Sequence, residues 1–333
     1  MAKGAAGAAV MLAPGTGEVA GVAVGRSAPR RQMTIDTLMP WSCAGKPLLA
    51  TAMLPFVASG DVPMDIPVSH WLPEFGRVHP DLTVLHLIKH ESGVDDALDP
   101  ADRSRPLHAV RPAPGFFPGK SFIYSTWWNW SVLGAVLETV TGIRVESIVQ
   151  DGVLSPAGMR GAAFITPGYL AGSDAHSQAE IMEFAPDASA SDWLTLRRMG
   201  LGRRDPVTRI CGPLSDLARF YRWVLDSLRT GNGPLPVALV REATSSDMGF
   251  CVGMKKFGFG RHCSPRSFGY GGALGGSNVV VGLAEPDHDF CLAVAVNRIG
   301  RESAFGLKAI VTAMYEDMLD PSLRDRPRAA YER

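Results

Sequence analysis

The 333-residue chain predicts an α/β (α+β) fold, an antiparallel sheet flanked by helices together with a mostly helical lobe. Two observations carry this. Apolar runs bounded by turn residues cluster at both ends of the chain, and helical patterns fill its middle. The length also exceeds the usual size of one hydrophobic core, which points to two lobes or one large unit with an insertion. The terminal segments, 1–40 and 235–333, are expected to share the sheet lobe, and 41–234 to form the helical lobe, with the active site at the seam.

Taken in order, Val10 to Ala13 and Glu18 to Val24 flank Pro14-Gly15-Thr16-Gly17, a hairpin signal. Arg26 to Gln32 is a polar loop. Helix signals run from Ala44 to Val57 and stop at Ser59-Gly60, with Pro47 tolerated near the first turn. Leu82 to Lys89 reads as a short apolar helix, and 94–120 as a long loop, a kind more often functional than idle. Trp127, Trp128 and Trp130 precede the amphipathic helix that Thr141-Gly142 ends. They read as core, with a wall facing the substrate as the second option. Residues 143–165 read as helix, turn and then strand or coil. Leu214 to Leu228 carries apolar residues at core spacing. From Gly249 onward strands return at 257–260, 267–270, 278–283 and 290–297, and a helix over 303–319 closes the chain.

Composition narrows the function. Hydrophobic residues make up 46% and charged residues 20%, with thirty-three basic residues balancing thirty-three acidic ones. No long block of one sign occurs, which argues against nucleic acid or an anionic membrane surface as partner. No apolar run of about 18 residues offers a membrane span, and the chain reads as cytoplasmic. Five cysteines, odd in number and without a C-x-x-C pair, suggest neither a disulfide framework nor a zinc site. His86 and His90, four apart, lack an H-E-x-x-H pattern and read as capping or core residues. The glycine-rich run 271–276 lacks the Lys-Ser/Thr of a phosphate loop and suits close backbone approach to a substrate. No metal or cofactor is expected, and the partners expected are small molecules.

One stretch carries chemistry. In Trp41-Ser42-Cys43-Ala44-Gly45-Lys46 a thiol stands three residues before a lysine at the start of an apolar helix, which puts sulfur and ammonium on one face. The ammonium and the positive helix end both favour the thiolate, the reactive form. A structural cysteine beside a surface lysine is the commoner alternative for a cysteine taken alone. Ser42, four residues before Lys46, is a rival nucleophile on spacing.

Four segments in order resemble the serine β-lactamase and penicillin-binding-protein superfamily, in the branch of class C β-lactamases and family VIII esterases. Thr37 to Lys46 matches the S-x-x-K segment without a gap, with Cys43 at the serine's place. Leu87 to Gly93 resembles L-L-x-H-x-S-G. Pro118-Gly119 followed by Tyr124-Ser125-Thr126 resembles the Y-S-N motif, and Phe268 to Ala273 resembles the third motif, K-T-G or H-x-G in relatives. The resemblance implies a β-lactamase/transpeptidase-like fold. It also implies Cys43 as acyl-accepting nucleophile, Lys46 as its activator, Tyr124 as proton shuttle and the backbone N–H groups of Cys43 and Ala273 as oxyanion hole. Thr126, Trp127, Tyr270, Gly271 and Gly272 would contact substrate.

Three departures qualify it: cysteine for serine at 43, threonine for asparagine at 126, and tyrosine for lysine or histidine at 270. Loss of the third-motif cation argues against recognition of a substrate carboxylate, and so against penicillin hydrolysis. An acyl-cysteine is a thioester, attacked readily by amines, which favours transfer over hydrolysis. The expectation is an acyltransferase that moves an acyl group from an ester or thioester donor to an amine or alcohol acceptor, in specialised metabolism. A carrier protein or a second copy of the chain is a further candidate partner. A thiol-dependent esterase or amidase and a non-catalytic ligand-binding protein are the alternatives.

Overall fold

A computed structural model of the chain describes residues 7–15, 18–28, 31–96, 106–165, 206–207, 209–245, 266–274 and 278–297. Its strands are β1 (Gly7–Pro14), β2 (Ala20–Ala28), β3 (Arg31–Gln32), β4 (Met39–Pro40), β5 (Ala163–Phe164), β6 (Ile210–Gly212), β7 (Phe268–Leu274), β8 (Asn278–Glu285) and β9 (Phe290–Asn297). The predicted hairpin forms, with Val10 opposite Val22. Its first strand then pairs along its whole length with β9, Gly7 opposite Asn297 and Pro14 opposite Phe290. The antiparallel sheet has the order β3-β2-β1-β9-β8-β7, so residues from both ends of the chain share it. A second sheet, β4-β6-β5, ties Met39–Pro40 to the segment around Cys211. The predicted strand at 257–260, the helix at 303–319, Cys251 and Cys263 lie outside the described residues.

The helices are α1 (Lys46–Ser59), α2 (Val84–Ile88), α3 (Trp128–Thr141), α4 (Val145–Val149), α5 (Leu214–Thr230) and α6 (Val237–Ser245). Every residue of α1 from Lys46 to Leu54 is buried, as its all-round apolar sequence requires. Gly60, at φ +83°, ends it in the left-handed conformation that glycine adopts without penalty. Thr83 and His86 close a capping box at the start of α2, which gives His86 the capping role. Among the described residues no helix is long and apolar enough to cross a membrane.

Alternation along β1 divides the sheet into two faces. Ala9, Met11 and Ala13 point with Ala293 and Ala295 into the larger core, on the side where α5 packs. A Cβ on Gly282 would stand 2.2 Å from the Tyr221 ring of that helix, and glycine there lets helix and sheet meet. The opposite face builds a second cluster from Leu283, Leu292, Val294, Val296 and Tyr270, and Cys43 and Tyr124 pack against it. Cys211 and Cys291 are buried, and burial pushes the Cys291 thiol up.

Candidate active site

Ser42–Gly45 form a single 3-10 turn that runs straight into α1. With three residues per turn, positions i and i+3 eclipse, so Cys43 and Lys46 project together. The Lys46 Nζ donates to Cys43 Sγ at 3.1 Å and to the Thr126 carbonyl oxygen at 2.9 Å. It also lies 4.9 Å from the centre of the Tyr124 ring and 5.8 Å from that of Trp130. Lys46 is fully buried. A buried ammonium is costly unless hydrogen-bonded and electrostatically matched, and sulfur, carbonyl and two π faces meet that need here.

The turn is clamped from two sides. Trp41 donates its backbone N–H to Ile210 O at 3.0 Å and its indole N–H to Gly212 O at 3.1 Å. From the other side β7 presses in so closely that a Cβ on Gly272 would lie 2.1 Å from Trp41 O and 2.9 Å from Cys43 N. Ser42 sits at φ +49°, in the left-handed region that non-glycine residues seldom occupy. Its hydroxyl is 4.0 Å from the Cys43 sulfur.

Tyr124 completes the centre. It packs with Cys43 against the same face of the sheet, and Tyr270 donates to its hydroxyl at 3.2 Å. Burial, then the neighbouring Tyr270 and Cys43, raise its pKa above the ordinary tyrosine value, so the phenol keeps its proton at rest. His90 stacks on the Tyr124 ring with centroids 4.5 Å apart, and its Nδ1 accepts the Ser125 N–H at 2.9 Å. Burial first, and the Lys46 charge second, hold His90 well below its usual range. It is therefore a neutral ring with its proton on Nε2.

Cys43, Lys46, Tyr124 and Tyr270 thus converge from a turn, a helix start, a loop and a strand. Gly271 and Gly272 lie beside them on β7, followed in that strand by Ala273. Thr126 directs both polar groups inward, its carbonyl to Lys46 and its hydroxyl to Asp96 at 2.8 Å. Trp127, Trp128 and Trp130 are 5%, 0% and 0% exposed and belong to the larger core cluster.

Asp96 is the residue that sequence reasoning missed. Its buried carboxylate accepts from Ser125 Oγ, from the Thr126 hydroxyl and from the backbone N–H groups of Thr126, Trp127 and Trp128, each at 2.8 Å. It stands at the edge of a loop without periodicity, some thirty positions from its partners. Only its place just after the Ser92-Gly93 segment hinted at it.

Comparison with known proteins adds the following. A family model described as Beta-lactamase matches residues 1–313. The chain is 34% identical to Esterase EstB of Burkholderia gladioli over 161 residues, 41% of each protein, so the match spans about two-fifths of that relative. Among solved structures, EstCE1, "a hydrolase with promiscuous acyltransferase activity", superposes with a TM-score of 0.69 at 19% identity over 93% of each chain. A class C beta-lactamase superposes with a TM-score of 0.69 at 18% identity, over 93% of this chain and 91% of the other. At those identities the two superpositions establish a shared β-lactamase/transpeptidase-like fold.

Proposed function

The chain belongs to the beta-lactamase family, and from that membership we propose that it is an acyltransferase working through an acyl-cysteine intermediate on Cys43. The observation that carries this reading is the Lys46 Nζ 3.1 Å from the Cys43 sulfur, beside a Tyr124 that burial keeps protonated. The thiolate attacks the carbonyl carbon of an ester or thioester, and the C–S bond forms as the negative charge moves to oxygen. The N–H groups of Cys43 and Ala273 stabilise that oxygen. The leaving alcohol or thiol takes the Tyr124 proton as its bond to carbon breaks. The resulting phenolate is met by the Lys46 charge and the Tyr270 hydroxyl. An amine or alcohol then attacks the thioester, its proton returns to Tyr124, and the Cys43 thiolate leaves.

Sulfur as nucleophile favours an amine or alcohol over water as acceptor, because a thioester is less resonance-stabilised than an ester and aminolysis of it is rapid. Specialised metabolism in the cytoplasm is the setting this reading suggests. Gly271 and Gly272 would let the substrate approach the β7 backbone. A second reading, a thiol-dependent hydrolase, draws on the likeness to an esterase and differs only in its acceptor.

Intact-protein mass spectrometry after incubation with a panel of esters and thioesters tests the proposal. Acyl mass on the wild type and on Cys43→Ser, and none on Cys43→Ala, is the expected result. An adduct persisting in Cys43→Ala, or no adduct with any donor, overturns it. Product analysis with and without added amine separates transfer from hydrolysis.

A further inference from the structure

The Thr126–Trp127 peptide group is loaded at both ends. Its carbonyl oxygen accepts the Lys46 ammonium at 2.9 Å, and its N–H donates to Asp96 Oδ2 at 2.8 Å. An ammonium on the oxygen draws electron density through the amide and makes the N–H a better donor, while a carboxylate on the N–H makes the oxygen a better acceptor. The two contacts therefore strengthen each other. All five of the carboxylate's hydrogen-bond partners are donors, the pattern of an ionised acceptor.

We propose that Asp96 is a positioning residue that holds the Lys46 ammonium beside Cys43, acting through the Thr126–Trp127 peptide as a relay. The inference rests on the reading of Lys46 and Cys43 as activator and nucleophile. Three other titratable groups face that pair: Tyr124 from the chain before α3, His90 after α2, and Tyr270 from β7. Tyr124 is held protonated and His90 neutral, so neither adds to the Cys43 sulfur a further negative charge near the buried ammonium. Asp96 supplies it, one peptide away. Removing that charge takes away the ammonium's anchor, and a looser ammonium holds the thiolate less well. Direct repulsion between carboxylate and thiolate works the other way. It is the smaller effect, because the sulfur touches the ammonium and meets Asp96 only beyond the peptide.

The pH dependence of Cys43 alkylation by iodoacetamide tests this without any acyl donor, so a failure to detect acyl transfer leaves the outcome readable. Asp96→Asn is expected to move the midpoint upward, because the ammonium that faces the thiolate loses its anchor. Ser125→Ala, which removes the hydroxyl's hydrogen bonds to Asp96 and from the Asn129 N–H and keeps the charge, should lower stability and leave the midpoint in place. Equal midpoints in Asp96→Asn and wild type, or equal shifts in both variants, overturn the proposal. A second readout is independent of whether Asp96→Asn folds. In protein carrying ¹⁵N only in tryptophan, Lys46→Met should move the Trp127 amide resonance more than that of Trp128, whose N–H also donates to Asp96 Oδ2 but whose peptide does not carry Lys46. Equal movement of the two overturns the relay.

Discussion

Tyr270 donates its hydroxyl hydrogen to the Tyr124 oxygen across 3.2 Å, linking β7 to the loop before α3. That bond occupies one lone pair of the Tyr124 oxygen and leaves its proton free to donate elsewhere. In the proposed mechanism Tyr270, where the family resemblance implies a lysine or histidine, is a link in the proton path. Tyr270→Phe should slow acyl loading of Cys43 about tenfold, the loss of one hydrogen bond, whereas Tyr124→Phe should slow it roughly a hundred- to ten-thousandfold. Single-turnover loading followed by mass spectrometry checks both. Equal losses would mean that Tyr270 shares the proton transfer itself.

Lys46 is the next test. Its only covalent tie to the site is its own stem, and in Lys46→Met that stem volume is kept while the charge is lost. Alkylation of Cys43 at pH 7 should slow about tenfold or more, because the thiolate loses its counter-ion. An unchanged rate would make the 3.1 Å contact irrelevant to reactivity.

Gly272 has no room for a side chain. A methyl group there meets the Trp41 carbonyl and the Cys43 and Ala44 N–H groups, all backbone, and the turn must move. Gly272→Ala should cost about 1–3 kcal/mol and abolish acyl loading. Gly271→Ala, whose new Cβ finds its nearest neighbour at 3.4 Å, should fold normally. Urea midpoints and loading assays on the pair settle it.

Stability should fall on mild acidification. His90 and His79 are buried and held below their usual range, His90 by burial and the Lys46 charge, His79 chiefly by burial. Their contribution is fully present above the unfolded value of about 6.5. Below it the unfolded chain binds a proton that the folded chain refuses. Each such histidine removes about 1.4 kcal/mol per pH unit. Urea denaturation at pH 7.5 and pH 5.5 should show the loss, and His90→Asn, which keeps an acceptor for the Ser125 N–H, should flatten it. An equal slope in the variant would put the acid sensitivity elsewhere.

What the sequence determined by itself is what short spacing controls. The three-residue interval between Cys43 and Lys46 puts thiol and amine on one side whether the turn is α or 3-10. Apolar runs bounded by turn residues make strands of 10–13, 278–283 and 290–297, and the turn at 14–17 makes a hairpin of the first. The order of the four motifs named the family. What only the tertiary structure decided is what distant segments do to one another. Tyr270 and Tyr124 are 146 positions apart, and no local pattern announces that one donates to the other. Asp96 carries no periodic signal at all, because a carboxylate that satisfies backbone N–H groups is selected by where the chain returns and not by its neighbours in sequence. The burial of the tryptophans is likewise a property of every surrounding element at once.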